Sequence, residues 1–67
     1  MYKIKKPGII QFLYGDNKRI SKKIGIDNAV LSRILNGKQT TSYETAYCIV
    51  KLYNAEKEVN DYFIRNM

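Results

Sequence analysis

The sequence predicts an all-α domain, a compact bundle of about five short helices that contains a helix-turn-helix. Apolar residues recur at helical spacing along most of the chain. Glycines stand where helices should end, and acidic or hydroxyl residues stand where helices should begin. No stretch gives a convincing β-hairpin pattern. With 67 residues, the whole chain (1–67) is expected to be one domain with a small core and a small functional surface.

The first predicted helix covers residues 7–14. Pro7 suits the first position of a helix, and Gly15 is expected to close the helix in a left-handed conformation. Before this helix, residues 1–6 are either a short strand or a flexible basic arm. The apolar residues expected to face inward are Ile9, Ile10, Phe12 and Leu13.

The second and third predicted helices are joined by a short turn that contains Gly25. Asp16 is expected to cap a helix over residues 17–24, and Asp27 a helix over residues 28–35. Gly25 is required because a residue with positive φ must close the first of these helices while the chain turns sharply. Two short helices with such a turn predict a helix-turn-helix.

Two further helices complete the predicted bundle. Gly37 is expected to cap the end of the helix over residues 28–35. Thr41 and Glu44 fit a capping box that opens a helix over residues 42–53. Its expected inward residues are Tyr43, Ala46, Ile49 or Val50, and Tyr53. The last helix covers residues 55–65, with Val59, Tyr62 and Phe63 facing inward.

The composition argues against an enzyme. The chain has no histidine and one cysteine, so a zinc site, a Cys–His couple and a Ser–His–Asp triad are all excluded. The glycines form no phosphate-binding loop, and the acids include no obvious catalytic pair. We therefore expect no catalytic residue, no metal and no cofactor. Cys48 is expected to be a small, partly buried apolar residue.

Positive charge is concentrated in the first part of the chain. Residues 1–38 carry nine Lys or Arg and two acids, whereas residues 39–67 carry three and four. This asymmetry predicts a polyanionic partner, which charge alone does not identify as nucleic acid or an anionic membrane. No apolar run is long enough to span a membrane, and the chain is expected to be mature, soluble and cytoplasmic.

The third predicted helix has one polar face. Leu31 and Ile34 should hold this helix onto the preceding one. In a helix-turn-helix the opposite face enters the major groove. An ordinary solvated face would explain the polarity, but not the combination of Gly25 with the helix caps. The residues predicted to read bases, called the reading face below, are Asn28, Ala29, Ser32 and Arg33.

The stretch "NKRISKKIGIDNAVLSRILNGKQTTSYETAYCIVKLY", residues 17–53, resembles the Cro/repressor type of helix-turn-helix domain. This is the Xre-like, lambda-repressor-like family of phage and bacterial regulators. The most specific parts are "KKIGI", "LSRILNGK" and "SYET". The family has glutamine where this chain has Asn17 and Asn28, and usually alanine where it has Ser21. The Ser21 hydroxyl is expected to bond back to a carbonyl in the preceding turn.

The resemblance implies a sequence-specific regulator of transcription that binds double-stranded DNA in a bacterial or phage-infected cytoplasm. Arg33 would suit guanine and Asn28 adenine. Ala29 would suit a thymine methyl, and Ser32 is permissive. The residues implied to hold DNA phosphates are Asn17, Asn36, Lys38, Gln39 and Thr40.

A homodimer is expected, because one short reading helix gives modest specificity and such proteins bind two-fold sites. The free protein is expected to be monomeric or weakly dimeric, with dimerisation completed on DNA. The C-terminal segment, residues 54–67, either supplies the interface or closes the core of the monomer. The candidate interface residues are Val59, Phe63 and Ile64.

Two other classes of function stay open. One is a protein-interaction module, such as an antitoxin or antirepressor that keeps the helix-turn-helix scaffold. The retained polar-to-basic reading face argues against this class. The other is RNA or membrane-surface binding through charge, although most tyrosines lie outside the basic part of the chain. The chain has no room for a ligand-binding domain, so a small-molecule effector is not expected.

Overall fold

The computed structural model describes residues 1–13 and 16–66. Over these residues the chain forms four helices and a two-stranded antiparallel sheet, so the prediction of an all-α five-helix bundle is wrong. The difference lies at the two ends of the chain, which pair as strands. In order, the elements are β1 (Tyr2–Ile4), α1 (Asp16–Ile24), α2 (Asn28–Leu35), α3 (Tyr43–Tyr53), α4 (Val59–Tyr62) and β2 (Phe63–Arg65).

The sheet joins the first and last described elements. Tyr2 lies opposite Arg65, and Ile4 lies opposite Phe63. On its other side, the Tyr2 N–H donates to the Thr41 carbonyl at 2.7 Å, and the Thr41 N–H donates to the Tyr2 carbonyl at 2.8 Å. Ile4 and Phe63 are both buried, and their side chains enter the core. Residues 2–4 are therefore a strand and not a free arm.

No helix forms over residues 7–13, where the first helix was predicted. Pro7 and Gly8 occupy the centre of a turn, in which the Ile9 N–H donates to the Lys6 carbonyl at 3.1 Å. Gly8 has a φ of 84°, which an α-helix does not accommodate. Leu13 is 80% exposed, although it was predicted to face inward. Tyr14 and the predicted cap Gly15 lie outside the described residues.

The predicted helix over residues 55–65 is also wrong, because only Val59–Tyr62 is helical and the chain then becomes β2. Lys51 stabilises the turn before α4: its Nζ donates to the Lys57 carbonyl at 2.7 Å and to the Ala55 carbonyl at 3.3 Å. The helical spacing of Val59, Tyr62 and Phe63 does correspond to a helix, but that helix, α4, is only one turn long. Pairing with β1 overrides it after Tyr62.

The helix predicted over residues 42–53 is present as α3, but the predicted capping box is not. Ser42, and not Thr41, is the N-cap, and its Oγ accepts from the Thr45 N–H at 3.3 Å. Ala46, Ile49 and Val50 are buried as predicted. Tyr43 and Tyr53, which were also predicted to face inward, are 51% and 38% exposed.

Every helix and strand contributes buried apolar side chains from one face to the core. None of the helices in residues 1–13 and 16–66 has the length and apolar character needed to cross a membrane. Burial of the apolar core side chains holds α2 between the sheet and α1, and the other face of α2 points outward. The buried apolar residues are Ile4, Ile10, Ile20, Leu31, Ile34, Leu35, Ala46, Ile49, Val50, Val59 and Phe63.

Candidate nucleic-acid interface

The turn between α1 and α2 consists of three residues and has the predicted left-handed glycine. Gly25 has a φ of 91°. The Ser21 carbonyl accepts from the N–H groups of Gly25 at 2.8 Å and Ile26 at 3.0 Å, which closes α1. Asp27 then caps α2, since its Oδ1 accepts from the Ala29 N–H at 3.1 Å. α2 therefore starts immediately after the reversal, at the predicted residue Asn28.

Small and apolar side chains bring α1 and α2 into close contact. Leu31 and Ile34 are fully buried on the inner face of α2, and Ile20 and Ser21 are buried on α1. The Ser21 Oγ donates to the Lys18 carbonyl at 2.9 Å, which confirms the predicted bond to the preceding turn. A buried hydroxyl is thus satisfied without widening the contact between the two helices.

The reading face points away from this contact. Asn28, Ala29 and Arg33 are exposed, and Ser32 is half-buried. The Arg33 Nε donates to the Gln39 Oε1 at 2.9 Å, so a predicted base reader touches a predicted phosphate ligand. This bond leaves the two Nη groups of Arg33 on the outer end of the side chain. Two parallel N–H donors in this arrangement match the O6 and N7 acceptors of guanine.

Residues 36–40, called the loop below, are held at both ends. The Lys38 N–H donates to the Arg33 carbonyl at 2.9 Å, and Gly37 has a φ of 76°, as a C-terminal cap requires. At the far end, Thr41 is buried and pairs with Tyr2. Lys38 is exposed between these two anchors, whereas Gln39 and Thr40 are half-buried. The loop therefore presents Lys38 from a fixed position beside α2.

A polar cleft of about 280 Å³ brings together several predicted contacts and one that the sequence reading missed. Asn17 at the start of α1 lines it with Ser32 and Asn36, and the Asn36 Nδ2 donates to the Ser32 Oγ at 3.4 Å. Gln11 is the missed residue; it lines the same cleft from the segment after Gly8. The available signal was a polar amide side chain in the middle of an apolar run. The predicted helix over residues 7–14 did not place this side chain beside Asn17.

Exposed cations lie along α1. α1 presents a row of exposed basic side chains, and one of them, Arg19, has its Nη2 3.3 Å from the Asp16 carboxylate. This ion pair lies at the surface and contributes little to stability. Such a row of positive charge would attract a polyanion at long range. Its members are Lys18, Arg19, Lys22 and Lys23.

The predicted dimer patch is not present as a surface. Val59 is 3% exposed and Phe63 is 1% exposed, because both close the core of their own chain. Only Ile64 is exposed, on β2. The C-terminal segment therefore serves the monomer core, and the three residues do not form a contiguous patch that another chain can cover.

No family model, no curated protein and no solved structure matches the chain.

Proposed function

We propose that this chain is a sequence-specific transcriptional regulator of the Cro/repressor type that binds double-stranded DNA. The observation that carries the proposal is the arrangement of α1, the Gly25 turn and α2. Two short helices separated by three residues bury the inner face of the second helix and leave its polar outer face exposed. This is the arrangement in which a second helix enters the major groove.

The reading face would supply base contacts of graded specificity. Arg33 is the strongest reader, because its guanidinium is exposed and braced by Gln39. Asn28, on the first turn of α2, has an amide that pairs with adenine N6 and N7. Ala29 fits a thymine methyl, and the Ser32 hydroxyl accepts several partners.

Phosphate contacts would lie beside this face. Asn17 and Asn36 line the polar cleft, with Gln11 beside them. Farther along the anchored loop, Lys38 is exposed and Thr40 is half-buried. Contacts of this kind set the position of the helix in the groove and carry no sequence information themselves.

A two-fold site and a homodimer belong to the same proposal. One α2 supplies four candidate readers, too few to select a single site among a genome of competitors. Two copies whose reading helices lie about 34 Å apart would read successive major grooves. No small-molecule effector is invoked.

Selection of bound sequences from random duplex DNA tests this function. We expect an enriched site made of two related half-sites one helical turn apart, and loss of enrichment for the double variant Asn28→Ala, Arg33→Ala. The matched control is Lys57→Ala, an exposed residue in the turn before α4. If the folded protein enriches no sequence, the proposal is wrong. The protein-interaction module then becomes the better account.

A further inference from the structure

α3 carries an exposed apolar face that the core and the reading face do not use. It borders two adjoining hollows of about 470 and 260 Å³, which share Ile24, Tyr47 and Cys48. Tyr43 is 51%, Tyr47 43% and Leu52 39% exposed. Cys48 is exposed as well, contrary to the expectation that it is partly buried. We call this surface the tyrosine groove; its members are Ile24, Tyr43, Tyr47, Cys48 and Leu52.

The two ends of the tyrosine groove carry opposite charges. Glu44 lines the first hollow, near the start of α3, and Lys23 and Lys51 line the second. Glu44 and Lys51 are seven residues apart, which is about two turns of helix and about 10 Å along its axis. The groove is therefore acidic at one end, apolar and aromatic in the middle, and basic at the other end.

We infer that the tyrosine groove is a homodimer interface in which the α3 helices of two copies pack antiparallel. A two-fold axis through the middle of α3, near Tyr47 and Cys48, lays the acidic end of each groove on the basic end of the other. A two-fold interface must be self-complementary, and opposite charges at equal distances from a central apolar stretch satisfy that requirement. Tyrosines suit such a surface, because their rings bury apolar area while their hydroxyls stay solvated.

The position of Lys51 identifies which cation is available to the second copy. The Lys51 Nζ already donates to the carbonyls of Ala55 and Lys57 and lies 3.8 Å from Glu58. Lys23, at the end of α1, is exposed. The intermolecular pair is therefore Glu44 of one copy with Lys23 of the other.

This inference rests on the proposed function only for the expectation of a homodimer, and its test uses the free protein without DNA. Failure of DNA binding and failure of the interface are thus separate results. Sedimentation equilibrium over a wide concentration range should show a monomer–dimer equilibrium. Tyr47→Glu should raise the dissociation constant at least about tenfold, because it buries a charge near the axis. Ile64→Glu is the matched control; it alters an exposed apolar residue on β2 and should leave the constant unchanged.

A charge exchange tests the antiparallel arrangement itself. Glu44→Lys and Lys23→Glu should each raise the dissociation constant about fivefold by placing like charges together, and the double variant should restore it. Cys48 provides an independent probe, since a short bismaleimide should join two copies through it and Tyr47→Glu should abolish the product. Far-ultraviolet circular dichroism checks that each variant is folded.

Three results would overturn the inference. The first is a protein that stays monomeric at every concentration and gives no Cys48 cross-link. The second is a dimer that Ile64→Glu weakens as much as Tyr47→Glu. The third is a double charge variant no better than either single one, which would indicate that the groove receives a different protein or a different orientation.

Discussion

The Arg33 Nε donates to the Gln39 Oε1 at 2.9 Å, which ties the reading face of α2 to the loop that follows it. Arginine is long, and ordering it costs side-chain entropy when it meets its target. A bond to Nε restricts the guanidinium before any target arrives and leaves both Nη groups for a bidentate contact. Gln39 is thereby assigned a second role, as a residue that positions a reader.

The first prediction concerns the hydrogen bond between Arg33 and Gln39. Gln39→Ala should weaken binding to the selected site and relax preference at the same base pair that Arg33 reads. In a double-mutant cycle, Gln39→Ala should have little further effect when Arg33 is already alanine. Binding titrations on the selected site and on single-base variants measure both effects. Fully additive losses would instead make Gln39 an independent phosphate ligand.

The second prediction concerns Arg33 itself. Arg33→Ala should cost about 1–3 kcal/mol of specific binding and relax the preference at one base pair. Arg33→Lys should not restore it, because lysine has no planar pair of donors and no Nε to meet Gln39. Unchanged affinity for the selected site in a folded variant would show that α2 is not the reader.

The third prediction separates positioning from reading. Lys38→Ala should weaken specific and non-specific duplexes about equally and lower the salt dependence of binding by about one unit. The exposed Lys57 is the matched control, since it lies in the turn before α4 and should have almost no effect on the slope. A loss confined to one base pair would make Lys38 a base reader.

The fourth prediction tests the Gly25 turn. A Cβ at Gly25 would meet nothing within 4 Å, so the penalty for a substitution comes only from its φ of 91°. Gly25→Val should destabilise the protein by at least about 1–2 kcal/mol, and Gly25→Asn by less, since asparagine tolerates the left-handed region better. Urea unfolding measures the difference. Equal stability of both variants would mean that the turn relaxes to another backbone conformation.

The fifth prediction distinguishes core from surface in the C-terminal segment. Phe63→Ala should cost about 3–5 kcal/mol, enough to unfold much of a domain of this size. Ile64→Ala should change stability by no more than about 0.5 kcal/mol. Thermal unfolding of the two variants makes the comparison. Similar small losses would contradict the burial of Phe63.

The helix-turn-helix was predictable from sequence because its signals are local. Asp27, Gly25 and the spacing of Leu31 and Ile34 each act within a few residues, and α2 has the predicted bounds. The strands were not predictable in this way. Tyr2–Ile4 has no strand partner nearby in the sequence, and its pairing with Phe63–Arg65 depends on the whole intervening chain.

Two further features differ from or go beyond the sequence prediction, for different reasons. The Pro7–Gly8 pair is a turn signal, and the turn prevails over the helical spacing of the apolar residues that follow it. The contact between Arg33 and Gln39 depends on the path of the chain after Gly37, which no spacing rule supplies. The sequence can therefore propose a set of residues for the candidate site, but not the contacts between them.

The pairing of Tyr2 with Arg65 also bears on how the molecule folds. It closes a loop almost as long as the chain itself, whereas α1 and α2 meet across three residues. Because of loop-closure entropy, the pairing of Tyr2 with Arg65 forms slowly and the contact between α1 and α2 forms fast. The two helices that present the reading face can therefore assemble early in folding, before the chain ends meet. The sheet then forms late, and its formation buries Ile4 and Phe63 in the core.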